Sequence, residues 1–369
     1  MTAERDDARD VFLAASGWGA AAQAPLPGDA STRRYVRLAM GGRKAMLMDQ
    51  PQSAETPAAS AHATPEERQA LGYNAVARLA GADVARFVAA SNYLRGLGLS
   101  APQILAADPA KGFVIIEDLG DALYADMVEP ANEAALYGAA AEVLARLHAD
   151  RAPAILPPDK DLHAYDETAQ LAEVDLLTDW FMPLALGRMA QDDEIAEHRA
   201  LWLAALRSAP KANPVFVHRD YHAQNLLWLP NRVGAARVGL IDFQDAVAGS
   251  KAYDLISLVE DARRDVAPDI ADATTAHYLD AMRRQGTPLD EEAFRGEMAL
   301  MAAQRNAKIA GIFARLFKRD GKARYLSYLP RVWGYLNRDL DHPMLTDIKA
   351  WYDKTIPPEK RGAPTGVAA

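Results

Sequence analysis

Short strand-like runs and isolated helices mix through about the first hundred residues, and helical spacing of the apolar positions dominates the remainder of the chain. After an amphipathic start, residues 28–31 form a turn-rich stretch. Residues 35–40 and 44–48 then read as two strands joined through Gly41-Gly42, a pair that tolerates the positive φ of a tight hairpin. Residues 51–85 are rich in Ala, Pro and Thr with little periodicity and read as a long, partly helical insertion. A helix is predicted over 87–97, stopped by Gly96 and Gly98 and followed by Pro102. Val114-Ile115-Ile116 is a short buried strand. Beyond it Leu136, Ala140, Val143, Leu144 and Leu147 fall on one helical face, with Asn132 available as N-cap. Further helices are expected over 167–182, 192–207 and around 255–262, and a long one over 291–319, with brief strand-like runs at 215–217, 226–229 and 238–243. The pattern gives an α+β chain with a small β-rich region over 1–119, a large helical region over 120–356 and a flexible tail at 357–369.

Charge and composition narrow the function classes. Forty-one basic against fifty acidic residues leave a net charge of −9, which argues against nucleic acid or an anionic membrane as the main partner. A local basic pocket for a phosphate-bearing substrate remains compatible with that total. The absence of cysteine removes disulfides, thiolate metal sites and a cysteine nucleophile. The N-terminus has four acidic residues in its first ten and no apolar signal-peptide core, and no stretch reaches membrane-span length. A cytoplasmic protein is expected.

Two short blocks carry chemistry. The first is His218-Arg219-Asp220-Tyr221-His222-Ala223-Gln224-Asn225, an H-x-D-x-x-x-x-N pattern followed by an apolar run. The second, Ile241-Asp242-Phe243, places a carboxylate at the end of a strand 17 residues after Asn225. Phosphoryl transfer needs an acceptor for the attacking hydroxyl's proton and oxygen ligands for Mg²⁺ beside the phosphates. Asp220 suits the first task, Asn225 and Asp242 the second. Singly, either block is a common accident or a strand terminus. With Leu226-Leu227-Trp228 between them and Tyr253-Asp254-Leu255 after them, chance is a poor explanation.

HRDYHAQNLL…IDFQDAVAGSKAYDL resembles the aminoglycoside/choline phosphotransferase branch of the protein-kinase-like superfamily. More narrowly, residues 28–35, IDFQDA and the late run AQRNAKIAGIFARLFKRDGKARYLSYLPRVWGYL look like the bacterial kinases of cell-wall amino sugars. That resemblance implies a two-lobed protein-kinase-like fold and an ATP- and Mg²⁺-dependent sugar kinase. The implied substrates are the anomeric hydroxyls of N-acetylmuramate and N-acetylglucosamine, phosphorylated in peptidoglycan recycling. It implies Asp220 as catalytic base, Asn225 and Asp242 as metal ligands, and His218 and Asp254 as support for the loop. Ser31, Thr32, Arg33 and Arg34 would cover the nucleotide, and the backbone at Glu117 to Leu119 would bind adenine.

The pattern breaks at one point. Kinase-like enzymes hold the α and β phosphates with a basic residue on the third strand, paired to a helix Glu. Here the basic position reads as Asp49, with Lys44 as fallback, and the Glu position falls near Phe87. Either another cation, Arg33 or Arg34, has taken over, or the chain is a pseudokinase. On the acceptor side Gln304, Arg305 and Lys308 interrupt the apolar pattern of the long helix. They read either as sugar contacts or as a salt-bridged stripe. His222 would touch substrate or cap the loop. Other acceptors, an aminoglycoside or choline, stay open, and the sequence carries no signal of oligomeric state.

Overall fold

The computed structural model describes residues 3–27, 32–51, 57–209 and 213–364. Two compact units emerge. The first comprises Met1–Glu129, Pro153–Ala164 and Gln224–Val247, the second Pro130–Ala152, Tyr165–Ala223 and Ala248–Ala369.

The first unit is built on an antiparallel sheet of order β1-β2-β3-β5-β4, with β1 at Ala22–Pro25, β2 at Arg34–Met40, β3 at Arg43–Asp49, β4 at Ile104–Asp108 and β5 at Phe113–Ile116. Gly41 and Gly42, both at positive φ, close the β2–β3 hairpin as the Gly-Gly pair predicts. Period-two alternation then sorts the side chains. Ala45, Leu47, Phe113 and Ile115 pack under helix α1 (Ala3–Ala15) with Phe12, Leu13 and Trp18. Met46, Met48, Val114 and Ile116 are buried from the opposite face.

The segment read as an insertion contains helices α2 (Pro65–Leu71) and α3 (Tyr73–Val76) before helix α4 (Val84–Gly96). Thr64 and Glu67 form a reciprocal capping box that starts α2, and Asp83 accepts from the Ala85 N–H to start α4. The short helix α5 (Tyr124–Met127) comes after β5.

The second unit is helical, as the 3.6-residue spacing predicts. In chain order it contains α6 (Glu133–His148), α7 (Glu167–Leu176), α8 (Met182–Leu186), α9 (Asp192–Ser208), α10 (Ala252–Val259), α11 (Pro268–Arg284), α12 (Glu291–Asp320), α13 (Leu329–Asp339) and α14 (Thr346–Thr355). A π-helical turn, Leu177–Phe181, joins α7 to α8. Helix α12 packs along α7, α10 and α13, and α11 lies along α6. After α14 the chain is tied down through Arg361, which stacks over Trp333 and donates to Asn337 and Asp353.

Candidate active site

In the first unit a short hairpin positions the proposed metal ligands. Leu226–Trp228 pairs antiparallel with Val238–Leu240, and the Ile241 N–H donates to the Asn225 carbonyl at 3.2 Å. Asn225 therefore stands opposite Ile241, one residue from Asp242. The Trp228 N–H donates to the Ala122 carbonyl (2.8 Å) and the Leu240 N–H to the Ser100 carbonyl (2.9 Å), which fixes the hairpin's position.

Asp242 has φ +65°, a left-handed conformation that a non-glycine residue adopts at an energetic cost. Its Oδ1 accepts from Arg33 Nη1 at 3.1 Å and from Gln244 Nε2 at 3.0 Å. These two donors gather on one oxygen, so Oδ2 is the better placed to meet a cation. Gln244 Oε1 beside it is buried without a partner. Among the described residues no three His, Cys, Asp or Glu side chains form a metal cluster. One carboxylate and one amide nevertheless fit Mg²⁺, which takes one or two protein oxygens and completes its shell from phosphates and water.

Arg33 is held charged: burial lowers its pKa, but Asp242, Tyr35 and Asp245 outweigh that and raise it. It shares a small cavity with Met48, Gln50, Gly81, Asp83, Val84, Phe87 and Gln244. Strand parity places Asp49, read as the basic position, away from this cavity. Asp49 has the parity of Leu47 and is buried on the α1 face, where Arg5 Nε donates to it at 3.1 Å. The β3 residue that faces the cavity is Met48. Thr32 is held by Gln50 Nε2 (2.9 Å), and Arg34 is exposed at the start of β2. Ser31 lies outside the described residues. At the segment read as the hinge, the Glu117 N–H is taken by the Gln103 carbonyl (2.8 Å) and its carboxylate by Arg95 and Arg232. The N–H of Leu119 has no partner among the described residues. The end of the insertion is fastened to the loop after Asp242, since Asp245 Oδ1 accepts from the Ala80 N–H at 2.6 Å.

In the second unit Val215–Val217 leads into the loop that carries Asp220. Asp254, fully buried on α10, accepts from the N–H groups of His218 (2.6 Å) and Arg219 (2.8 Å). Burial pushes its carboxyl up to about 7, against the opposing pull of those two donors. Arg219 has φ +80°, and the Tyr221 hydroxyl donates to the Ala140 carbonyl at 2.9 Å. His218 is buried edge-on to Tyr221, and Asp220 is partly buried.

Beneath this loop lies a charged network that the sequence reading missed at its centre. Glu173 on α7 is fully buried and binds Arg219, the Tyr165 hydroxyl and Lys308 Nζ (2.8 Å). Burial alone would raise its carboxyl; Arg219 and Lys308 overcome that and bring it down to about 2. The available signal was one acidic residue on an otherwise apolar helix face, between Ala169 and Leu177. Gln304 donates to the Tyr165 hydroxyl (2.9 Å) and the Gln170 carbonyl (3.2 Å), and Lys308 also reaches the Tyr253 hydroxyl (3.2 Å). Arg305 is buried on Ser257 Oγ (2.9 Å) and the Glu260 carbonyl (3.3 Å). Gln304, Arg305 and Lys308, the polar positions read as possible sugar contacts, are therefore engaged with protein groups. His222 is also buried, with Arg263 Nη1 at 3.2 Å from its Nε2.

A β-sheet unit with Asn225 and Asp242 on one short hairpin, and a helical unit with a braced loop at Asp220, have the make-up of a protein-kinase-like phosphotransferase of small molecules. The fold matches a microcompartment-associated aminopropanol kinase with a TM-score of 0.58 at 15% identity, covering 90% of this chain and 98% of that one. It matches a choline/ethanolamine kinase family protein from Mesorhizobium loti with a TM-score of 0.54 at 14% identity, covering 94% and 98%. Residues 22–289 match the phosphotransferase enzyme family, and the chain belongs to it. It is 45% identical to the N-acetylmuramate/N-acetylglucosamine kinase of Caulobacter vibrioides over 98% of this chain and 99% of that one. Its identity to the Pseudomonas aeruginosa protein of the same name is 32%, over 90% of this chain and 88% of that one. Among the described residues no helix is long and apolar enough to cross a membrane.

Proposed function

We propose that the chain transfers the γ-phosphoryl group of ATP to the anomeric hydroxyl of N-acetylmuramate and N-acetylglucosamine, a step of peptidoglycan recycling. The observation that carries this reading is the 45% identity, along 98% of the chain, to a relative named for those two sugars. Asp220 accepts the hydroxyl proton as the sugar oxygen attacks the γ-phosphorus in line. The new O–P bond forms, the bond to the bridging oxygen breaks, and ADP leaves. Asn225 and Asp242 would hold Mg²⁺, which when bound neutralises charge on the β and γ phosphates. Arg33 supplies the cation that β3 lacks, its fork being suited to phosphate oxygens. The open Leu119 N–H suits adenine. In this reading residues 1–119 form the nucleotide-binding region and 120–356 carry the catalytic loop and acceptor pocket. With ATP as donor, the reaction proposed is a cytoplasmic one.

The test is coupled ADP release with N-acetylmuramate, N-acetylglucosamine, kanamycin and choline in parallel. Turnover is expected with the two amino sugars; turnover with neither overturns the assignment. Asp220→Asn is expected to lower kcat by about 10²- to 10⁴-fold while ATP binding persists.

A further inference from the structure

Arg263 stands just beyond α10, partly buried, and its guanidinium donates to His222 Nε2 at 3.2 Å. His222 cannot neutralise it. Burial, reinforced by Arg263 and Arg305 against the opposing pull of Asp261, lowers this imidazole's pKa to about 3, so the ring is uncharged at neutral pH. Asp261 accepts the Arg263 N–H through Oδ1 at 2.8 Å, and its Oδ2 is buried without a hydrogen-bond partner and makes no ion pair with the Arg263 guanidinium. No carboxylate lies within ion-pair distance of the Arg263 side chain among the described residues.

Arg305 rests likewise on neutral atoms, but three other arginines nearby have carboxylate partners. Arg264 pairs with Glu133 at 3.0 Å, Arg331 pairs with Asp265, and Arg338 pairs with Glu260. In a chain with nine more acidic than basic residues, an arginine side chain seated on an uncharged ring and outside any ion pair stands out as a group that can take an anion. It also stands next to the chemistry. The His222 N–H donates to the Asp220 carbonyl at 3.1 Å, so one side chain separates Arg263 from the backbone of the proposed base.

The geometry points to Arg263, seated on His222, as the anion subsite of the acceptor pocket, which takes the carboxylate that N-acetylmuramate has and N-acetylglucosamine lacks. This inference rests on the amino-sugar reading and deepens it. A guanidinium offers a planar fork of donors that matches a carboxylate's two oxygens, and His222 holds one edge of it in place. The site would make a single pocket accept both sugars, with the carboxylate adding affinity.

The experiment uses the full chain and compares kcat/KM for the two sugars in the wild type, Arg263→Gln and Arg263→Lys. The ratio of N-acetylmuramate to N-acetylglucosamine is expected to fall about 10- to 100-fold in Arg263→Gln, carried by KM, as for loss of a charge-assisted hydrogen-bonded pair. Arg263→Lys, which keeps the charge without the fork, should fall between the two. A neutral lactamide analogue of N-acetylmuramate needs no variant. With the wild type its KM should exceed that of the acid about 10-fold or more. An equal KM for acid and amide, or an equal loss on both sugars in Arg263→Gln, overturns the subsite and leaves the amino-sugar reading standing. Wild-type turnover of neither sugar overturns both.

Discussion

Strand parity separates Asp49 from the cavity where Arg33 is proposed to meet phosphate. Asp49 and Met48 are neighbours in sequence, yet Asp49 is spent on Arg5 under α1 while Met48 faces the cavity that holds Arg33. The cation of this region therefore comes from the chain entering β2, and Asp242 is its partner at 3.1 Å. A thioether cannot offer a phosphate a charge, so nucleotide affinity should depend on Arg33. Arg33→Met is expected to raise KM for MgATP about 10-fold or more, the scale of one charge-assisted hydrogen bond, with a smaller change in KM for the sugar. Initial rates at varied ATP and saturating sugar would show it. An unchanged KM for ATP would mean that Arg33 only braces Asp242.

Between elements, a glycine lets two helices of the helical unit approach closely. Gly311 lies on α12 where that helix meets the end of α7, and a Cβ built there overlaps the carbonyl and side chain of Leu176. The π-helical turn begins at the next residue, Leu177, so the contact falls where the α-helical ladder is already interrupted. Helical propensity alone would favour alanine at this position. Packing reverses that preference. Gly311→Ala should destabilise the chain by about 1–3 kcal/mol, the usual cost of overpacking, read as a lower urea midpoint at constant slope. A midpoint equal to or above the wild type would contradict the close approach. The same helix carries Gln304 and Lys308 to Glu173, so a shift of α12 should also disturb Arg219 in the loop that carries Asp220.

For the molecule as a whole, the proposed division of labour predicts separable ligand signatures. MgADP should slow hydrogen exchange in 33–50 and 225–244, and N-acetylmuramate in 218–223 and 260–264. Each ligand at 100 times its Kd should also add about 2.7 kcal/mol of stability. Sugar protection confined to 33–50 would contradict the assignment of the acceptor residues. Much of this plan was legible in the sequence because it is written in local periodicity. Short strand-like runs marked β2 and β3, Gly41-Gly42 marked their turn, helical spacing marked α6 and α12, and the spacing from His218 to Asp242 pointed to the chemistry proposed above. Such patterns state which face of an element is apolar and which side chains carry reactive groups. They do not state partners. Arg33 meets Asp242 across 209 positions, Lys308 and Arg219 converge on Glu173, and Arg263 meets His222 across 41. Those pairings are decided only when distant elements pack, because an ionic or hydrogen-bonded contact depends on where two chain segments are brought together, and no local spacing encodes that.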